Sequence, residues 1–459
     1  DLFRNRNIIN AHPNISQEFD SLLKKNLQQM EHYTRLIFGD PEKLLLLSVR
    51  SGAPMSLPGA MDTFLNIGLN DEITQQLSLK ENYGWTAWDC YRRLIQSWGM
   101  AYGVPRDDFD RVMIEYKTHY DLEYKSQFSS AQMQDIVMDY KKILQNYKIY
   151  IEQDPFLQLY KAISRVLDSW DTDRAKLYRS KLHIAEEWGT AVIIQKMVLG
   201  NISLNSGTGV LFTYADWHKE PGICLNGDFT LCSQGEDVVA GLVHTLPISE
   251  IERKRQQGEI SLQKDFPSLF NRLKRFATQL IEEYKYPHQE IEFTFEGNSE
   301  DLLYILQTRN QVIHKKPEYQ VFVSQETSMK HIGSGIGIGK GALNGVIVIN
   351  KSDIEHYKAL NKPLILVRPD TVPDDMQLLF ECQGLLTSRG GVTSHAAVTA
   401  TRLGLIGVVN CRELVVDEEN ASCQIGNILL KSGDKISLDA TGGAIYLGHY
   451  PLQSVHSLV

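Results

Sequence analysis

The residues best suited to chemistry follow the apolar stretch Gly384–Leu386 and form the run Arg389-Gly390-Gly391-Val392-Thr393-Ser394-His395-Ala396-Ala397. Two adjacent glycines let a backbone turn tightly and approach a phosphate closely. Thr393 or Ser394 can cap a helix over Ala396–Leu403, which places His395 at the start of that helix. Free amide groups and the positive end of the helix dipole stabilise negative charge there. A neutral imidazole is also a nucleophile near neutral pH. The run therefore predicts a phosphoryl-carrying histidine; the alternative is a buried histidine that serves only its own helix.

A second run places an arginine at the polar end of the apolar stretch Leu44–Val49 and reads Ser48-Val49-Arg50-Ser51-Gly52-Ala53. A guanidinium group presents a planar fork of donors that matches phosphate oxygens, and a neighbouring glycine leaves room for a ligand. Taken alone, an arginine in a turn is more often structural. Arg93, in a helical stretch, is open to the same two interpretations, with a solvated basic face as the alternative.

A third group combines acidic residues with an amide. Glu290 and Glu292 are two apart in a predicted strand, so their side chains point to the same face. Paired carboxylates can hold Mg²⁺ between the phosphates of a nucleotide. Gln307, at the end of the neighbouring predicted strand, could complete the set of ligands. The alternative is that the two acids form only the solvated face of their strand.

One glycine-rich run needs a different interpretation. Gly335–Gly341 superficially resembles a dinucleotide-binding or P-loop fingerprint, but Lys340 is followed by glycine rather than Ser or Thr. It also lacks the strand that must precede such a motif. We therefore expect this run to have a structural role.

The composition limits the class of protein. Of the 459 residues, 42% are hydrophobic and 22% are charged, which is typical of a globular protein with about three folding units. A formal charge of −9 disfavours nucleic acid as a partner, and no apolar run is long enough to span a membrane. The six cysteines include no CxxC pair, so we expect reduced thiols. The absence of a secretory signal pattern favours a cytoplasmic location.

The elements that must position these residues can be read from periodicity. Apolar residues from Phe19 to Ile37 recur at helical spacing, and residues 107–182 are rich in helix-forming types, so both segments should be helical. Strands are predicted at Ala191–Val198, Val210–Thr213 and Ile291–Phe295. After a polar segment around Pro317, short apolar runs alternate with polar helical segments, as in α/β domains. We therefore divide the chain into residues 1–312, a linker at 313–328, a second region at 329–450 and a tail at 451–459.

With GGVTSHAA at residues 390–397, the sequence resembles the phosphoenolpyruvate-utilising family, whose mobile domain carries a GGxTSHAA phosphohistidine motif. The TSHA form, rather than the TCHA form of phosphoenolpyruvate synthases, points to the pyruvate, phosphate dikinase branch. The resemblance extends over roughly residues 35–450. It implies an α/β and α+β multidomain fold: an ATP-grasp-like nucleotide-binding region over residues 1–312, with a helical insertion at about 107–182, followed by a swivelling β/β/α phosphohistidine domain.

The resemblance also implies roles for individual residues. His395 takes the place of the catalytic phosphocarrier, on a phosphohistidine loop that includes Gly390, Gly391, Thr393 and Ser394. The implied metal ligands are Glu290, Glu292 and Gln307, which would bind Mg²⁺ together with ATP; Glu290 stands where the family commonly has Asp. The implied nucleotide-binding residues are Arg50, Arg93, Gln195, Val198, Glu290, Glu292, Gln307 and Arg309.

The implied reaction converts ATP, phosphate and pyruvate into AMP, diphosphate and phosphoenolpyruvate. The family's nucleotide-binding lysine segment has no match in residues 1–30, and its C-terminal pyruvate-binding barrel has none in this sequence. We therefore expect the pyruvate step to need a barrel from a longer chain or a partner. Two alternatives stay open: a relative that phosphorylates another acceptor or a partner protein, and a catalytically incomplete nucleotide-binding remnant. A homo-oligomer is compatible with either.

Overall fold

The protein is represented by a computed structural model that describes residues 13–52, 60–181, 183–215, 218, 222–235, 245–256, 258–313, 318–323, 329–371 and 375–456. Several residues used in the sequence analysis lie outside these ranges, among them residues 1–12, Ala53 beyond the first arginine, and Pro317 in the predicted linker. The chain forms two compact units, Asp1–Met197 and Val198–Val459. The domain boundaries drawn from the sequence stay a prediction.

The first unit combines a small sheet with a set of helices. Its strands are β1 (Ile37–Phe38), β2 (Leu44–Leu45), β3 (Leu47–Ser51), β4 (Thr63–Ile67) and β5 (Val192–Lys196). β3 is central and pairs antiparallel with β4 and β5. The helices are α1 (Pro13–Thr34), α2 (Asp71–Ser78), α3 (Gly84–Ala101), α4 (Arg106–His119), α5 (Ser130–Asn146), α6 (Pro155–Asp168) and α7 (Asp173–Lys181).

Local signals explain where these helices begin. Ser129 caps α5, and its hydroxyl accepts from the amide of Gln132, whose side chain bonds back to the Ser129 amide. Asp154 caps α6, which continues with proline in its first turn. The helix predicted over Phe19–Ile37 is confirmed as far as Thr34, whereas Ile37 begins β1. The mainly helical character predicted for residues 107–182 is confirmed as far as Lys181.

The second unit opens with an antiparallel sheet of strands β6 (Gly207–Phe212), β7 (Asn226–Leu231), β8 (Leu246–Pro247), β9 (Gln289–Phe295) and β10 (Leu303–Asn310). Their order in the sheet is β10-β9-β6-β7-β8. Helices α8 (Glu250–Arg255), α9 (Leu262–Asp265) and α10 (Pro267–Thr278) supply apolar side chains to one face, where Leu269 and Leu273 pack with Phe293 and Phe295. The strands predicted at residues 210–213 and 291–295 are confirmed.

A mixed eight-stranded sheet follows, in the order β12-β22-β21-β14-β15-β16-β17-β13. Its strands are β12 (His331–Ser334), β13 (Ile336–Ile338), β14 (Ala342–Val348), β15 (Leu364–Arg368), β16 (Gly384–Thr387), β17 (Ile406–Val409), β21 (Lys435–Asp439) and β22 (Ala444–Leu447). Between β17 and β21 the chain forms a three-stranded sheet of β18 (Leu414–Asp417), β19 (Ser422–Ile425) and β20 (Ile428–Lys431). The helices are α11 (Lys351–Ala359), α12 (Met376–Leu379) and α13 (His395–Leu403). Strands β14 to β17 are parallel, joined through these helices, as the alternating pattern predicted.

Strands also form in the two segments that were interpreted as a linker and a tail. β11 (Glu318–Phe322) lies in the segment interpreted as a linker, and β23 (Leu452–His456) lies in the segment interpreted as a tail. They pair antiparallel, with Glu318 opposite His456 and Phe322 opposite Leu452. Both segments are short and mostly polar, so their strand pattern is weak in the sequence.

The glycine-rich run does have the structural role expected of it. Gly335–Gly341 forms β13 and the turn into β14 rather than a strand-to-helix turn. A side chain at Gly337 would meet the carbonyl oxygen of Ala440 at 1.7 Å, so glycine allows two backbone segments to touch. All six cysteines are free thiols, in agreement with the sequence. Within the ranges given above, no helix has the length and apolar character needed to cross a bilayer.

Candidate phosphohistidine and nucleotide site

The run that suggested a phosphoryl carrier forms the connection between β16 and α13. Gly390 has φ +96°, a conformation that side-chain-bearing residues rarely adopt. Ser394 caps α13, and its hydroxyl accepts from the amide of Ala397 at 3.3 Å. His395 is the first residue of the helix, which ends at Gly404 with φ +66°. The predicted helix is therefore confirmed, with Ser394 rather than Thr393 as its cap.

A buried carboxylate from the five-stranded sheet binds this loop. Asp228 lies on β7 and is 2% exposed. Its Oδ2 accepts from the backbone amide of Thr393 at 2.9 Å and from the Thr393 hydroxyl at 3.0 Å. The hydroxyl of Thr245 donates to Oδ1 at 3.1 Å, and the amide of Val392 also donates to the carboxylate. Burial raises the pKa of Asp228, and these donors partly offset that effect by stabilising the charged form.

Gly391 makes this contact possible. A Cβ at this position would lie 2.3 Å from Oδ2 of Asp228 and 2.6 Å from Oγ1 of Thr245. Any side chain would therefore separate the loop from β7. The second glycine of the motif is required by the partner strand, whereas the first is required by its own backbone conformation.

The acidic pair and its predicted partners lie on β9 and β10. Glu290 is directly opposite Arg309, and Glu292 is directly opposite Gln307, so all four side chains share one face of the sheet. Arg309 forms an ion pair with Glu290, and its Nη2 lies 3.6 Å from Oε1 of Glu292. The structure thus brings these four predicted residues together. Two carboxylates and one amide oxygen are a donor set that suits Mg²⁺. Arg309 already neutralises part of the negative charge of the two carboxylates.

A cavity of about 560 Å³ lies beside the loop. The loop and its helix contribute Val392 and Arg402, and the sheet contributes Glu290. Two further basic residues, Arg255 and Lys340, also line it. The cavity lining thus combines three basic side chains with two carboxylates, Glu252 and Glu290, and the basic groups are in excess by one.

A second buried acid supports the sheet close to Asp228. Glu252 accepts from the amide of Gly227 at 2.9 Å and from the amide and hydroxyl of Ser249 at 3.0 and 2.8 Å. Burial raises the pKa of Glu252 to about 7, although these hydrogen bonds oppose the shift. The residue links β7 to the start of α8.

Of the residues predicted to bind nucleotide in the first unit, Arg50 and Gln195 lie on its sheet. Arg50 is on β3, opposite Thr63 of β4 and Ile193 of β5. Gln195 is on β5, and its carbonyl oxygen accepts from the hydroxyl of Ser48 at 3.4 Å. Val198 is the first residue of the second unit.

Arg93 is enclosed within the first unit. It lies on α3, is 2% exposed, and its Nε donates to Asp89 at 3.0 Å. Arg92 and Lys125 also contact the same carboxylate. Burial alone would raise the pKa of Asp89, but Arg93, Lys125 and Arg92 together hold it far below its usual range. The alternative of a solvated basic face is wrong for Arg93, because the side chain is buried.

Two carboxylates were missed by sequence reasoning. Asp89 precedes Arg92 and Arg93 by three and four residues, a helical spacing that would have identified the ion pairs. Asp228 had no such signal, because Thr393 is 165 residues away along the chain.

Two known protein families match parts of the chain. Residues 11–264 match the family described as pyruvate phosphate dikinase, AMP/ATP-binding domain. The chain belongs to this family. Residues 360–443 match the PEP-utilising enzyme, mobile domain.

Relatives of the family are similar along nearly the whole chain. The pyruvate, phosphate dikinase of Rickettsia conorii is 34% identical, over 96% of this chain and 52% of the relative. That of Rhizobium meliloti is 34% identical over 94% and 51%, and that of Clostridium symbiosum is 32% identical over 97% and 53%. The chain therefore spans about half the length of the curated relatives it matches.

Proposed function

We propose that this chain is the nucleotide-binding and phosphohistidine part of a pyruvate, phosphate dikinase-like phosphotransferase. One observation carries the proposal: the loop that ends in His395 is bound to β7, and β7 belongs to the same sheet as Glu290, Glu292, Gln307 and Arg309. Phosphoryl transfer depends on positioning the carrier near groups that bind phosphate and metal. Here one sheet binds the loop and carries the proposed ligands.

In the proposed reaction, a ring nitrogen of His395 attacks the β-phosphorus of ATP, and AMP is the leaving group. The resulting pyrophosphoryl group loses its outer phosphoryl to inorganic phosphate, which forms diphosphate. The phosphoryl that remains on His395 then passes to the enol oxygen of pyruvate, giving phosphoenolpyruvate and the original imidazole. The chain's part is to position the nucleotide and neutralise its charge, for which Arg50 and Arg309 are the proposed guanidinium groups. Arg93 is buried against Asp89 and is given no direct contact with the nucleotide.

Magnesium is proposed to accompany ATP. Glu292 and Gln307 are cross-strand partners, and Glu290 is their neighbour on the same face, so these three would hold the ion. When bound, Mg²⁺ would neutralise phosphate charge. Arg309 would share the two carboxylates, which keeps the group oriented before nucleotide arrives.

The larger architecture is part of the same proposal. Residues 1–312 would include the ATP-grasp-like nucleotide-binding region that the resemblance implies, with Gln195 and Val198 on its adenine side. Residues 329–450 would form a swivelling domain that carries the phosphoryl group to pyruvate, on the barrel that the family resemblance implies. The cavity beside the loop, with its three basic side chains, suits inorganic phosphate or the phosphates of ATP.

Labelling with ATP tests the proposal. The protein is incubated with Mg²⁺ and ATP labelled in the β-phosphate, and acid-labile, base-stable label is measured on the chain. Label should appear on wild type, vanish in His395→Ala, and persist in His356→Ala, which changes an exposed histidine of α11. Label that persists in His395→Ala would refute the assignment of the carrier.

A further inference from the structure

Asp228 is the buried charged group for which the proposed reaction has no use. It carries none of the predicted nucleotide or metal contacts, yet its carboxylate is 2% exposed and receives donors on both oxygens. A buried carboxylate is costly unless such donors compensate it. The loop supplies that compensation: Thr393 gives Oδ2 two hydrogen bonds, and Val392 adds a backbone amide.

The loop amides that Asp228 uses are next to the proposed phosphorylation position. Thr393 is two residues before His395, and the same backbone turn that presents its amide to Asp228 leads through the cap Ser394 into α13. The Asp228 carboxylate therefore occupies the amide donors of the loop while His395 carries no phosphoryl group. A phosphorylated histidine would bring about two negative charges to the loop that Asp228 binds, two residues along the chain from Thr393.

We propose that Asp228 is a positioning residue that docks the phosphohistidine loop on β7 and releases it when His395 becomes phosphorylated. The proposal rests on the proposed function, and it adds a direction: the uncharged loop is held at the nucleotide-side sheet, and charge repulsion weakens the contact after phosphoryl capture. Gly391 packs closely against the Asp228 carboxylate, so the loop cannot shift along β7 while it stays bound. The hydrogen bonds between Thr393 and Asp228 should therefore form or break together.

Hydrogen exchange of the amides of residues 392–394 measures the docking directly, with no nucleotide present. In wild type the Thr393 amide should be protected. Asp228→Asn removes the charge and turns one acceptor into a donor, so protection should fall about tenfold or more, as expected for loss of a charge-assisted bond. Thr393→Val, which removes only the hydroxyl donor, should lower it by a smaller factor. Unchanged protection in both variants would overturn the docking role, and Thr393→Val decides the matter if Asp228→Asn does not fold.

Charge coupling is tested by a double-mutant cycle. His395→Glu places negative charge at the carrier position, and His395→Gln is its uncharged match. We expect His395→Glu to lower loop protection about tenfold relative to His395→Gln in the wild-type background, and by less than twofold when Asp228 is Asn. Equal protection in the two His395 variants, or an equal drop in both backgrounds, would overturn the coupling. If Asp228→Asn does not fold, the cycle is run with Thr393→Val, where the drop should shrink.

A kinetic readout separates positioning from general stability. At saturating ATP, Asp228→Asn should slow histidine labelling about tenfold while the ATP concentration for half-maximal rate stays unchanged, since Asp228 is placed at the loop and not at the nucleotide. A change confined to the half-saturating concentration would contradict the proposal. If wild type takes no label, the proposed function fails while the exchange cycle still decides the role of Asp228.

Discussion

Gly391→Ala offers a test of the loop geometry that needs no assumption about activity. The new Cβ would lie 2.3 Å from Oδ2 of Asp228, whereas ordinary contact begins at 3.4 Å, so the loop must move away from β7 by about 1 Å. The hydrogen bonds from the Thr393 amide and hydroxyl, now 2.9 and 3.0 Å long, would then reach about 4 Å and be lost.

The expected cost follows from those two bonds. Hydrogen bonds to a charged group contribute roughly 1.5–3 kcal/mol each, and because the two share one acceptor we take about 3 kcal/mol for the pair. That value corresponds to a docked population about a hundredfold lower. Exchange of the amides of residues 392–394 should accelerate by about this factor, while the core strands of the second unit keep their protection.

Gly258→Ala is the matched control. A Cβ at Gly258 would have its nearest neighbour at 3.8 Å, so loop protection should not change. In an Asp228→Ala/Thr245→Ala background both clashing side-chain oxygens are gone, and Gly391→Ala should then add little. Wild-type protection of Thr393 in the Gly391→Ala protein would refute the reasoning, and so would a uniform loss of protection across the whole unit.

Three further predictions concern the buried acids and the nucleotide ligands. Asp89→Ala should lower the free energy of unfolding measured with urea by about 3–5 kcal/mol, because Arg92, Arg93 and Lys125 lose a buried counter-charge. Asp107→Ala, at an exposed position, should lower it by less than about 1 kcal/mol. Equally small effects of the two substitutions would contradict a stabilising role for the Asp89 ion pairs. Glu252 has its pKa raised from 4.5 to about 7, so its contribution to stability is full below pH 4.5 and is lost as the pH rises through 7. Between pH 4.5 and 8 wild type should therefore lose about 3 kcal/mol more than Glu252→Gln, and parallel pH profiles would argue against the shift. Glu292→Ala should weaken Mg·ATP binding, measured by calorimetry, by about 1.5–3 kcal/mol. Glu300→Ala, which removes a surface ion pair with Arg275, should leave the affinity unchanged. Unaltered affinity in Glu292→Ala would show that the face of the sheet that carries Glu290 and Glu292 is not the nucleotide site.

Local patterns in the sequence were sufficient for most of the elements and for part of the site. The spacing of Glu290 and Glu292 predicted their shared face, and the loop chemistry predicted the helix that starts at His395, because both depend on periodicity and capping. The sequence did not predict the pairing of β11 with β23, since each strand has only five residues and its partner lies far away along the chain. Burial of Arg93 against Asp89 was missed although its spacing was visible, and the contact of Asp228 with Thr393 depends on tertiary structure alone.

The pairing of β11 with β23 affects how force and motion would pass through this part of the chain. Glu318 lies opposite His456, so the incoming and outgoing backbones meet at one point beside the eight-stranded sheet. Tension applied between those two residues would open the ladder one rung at a time, a peeling geometry that resists little force. The same closeness means that a short peptide could bridge Glu318 and His456.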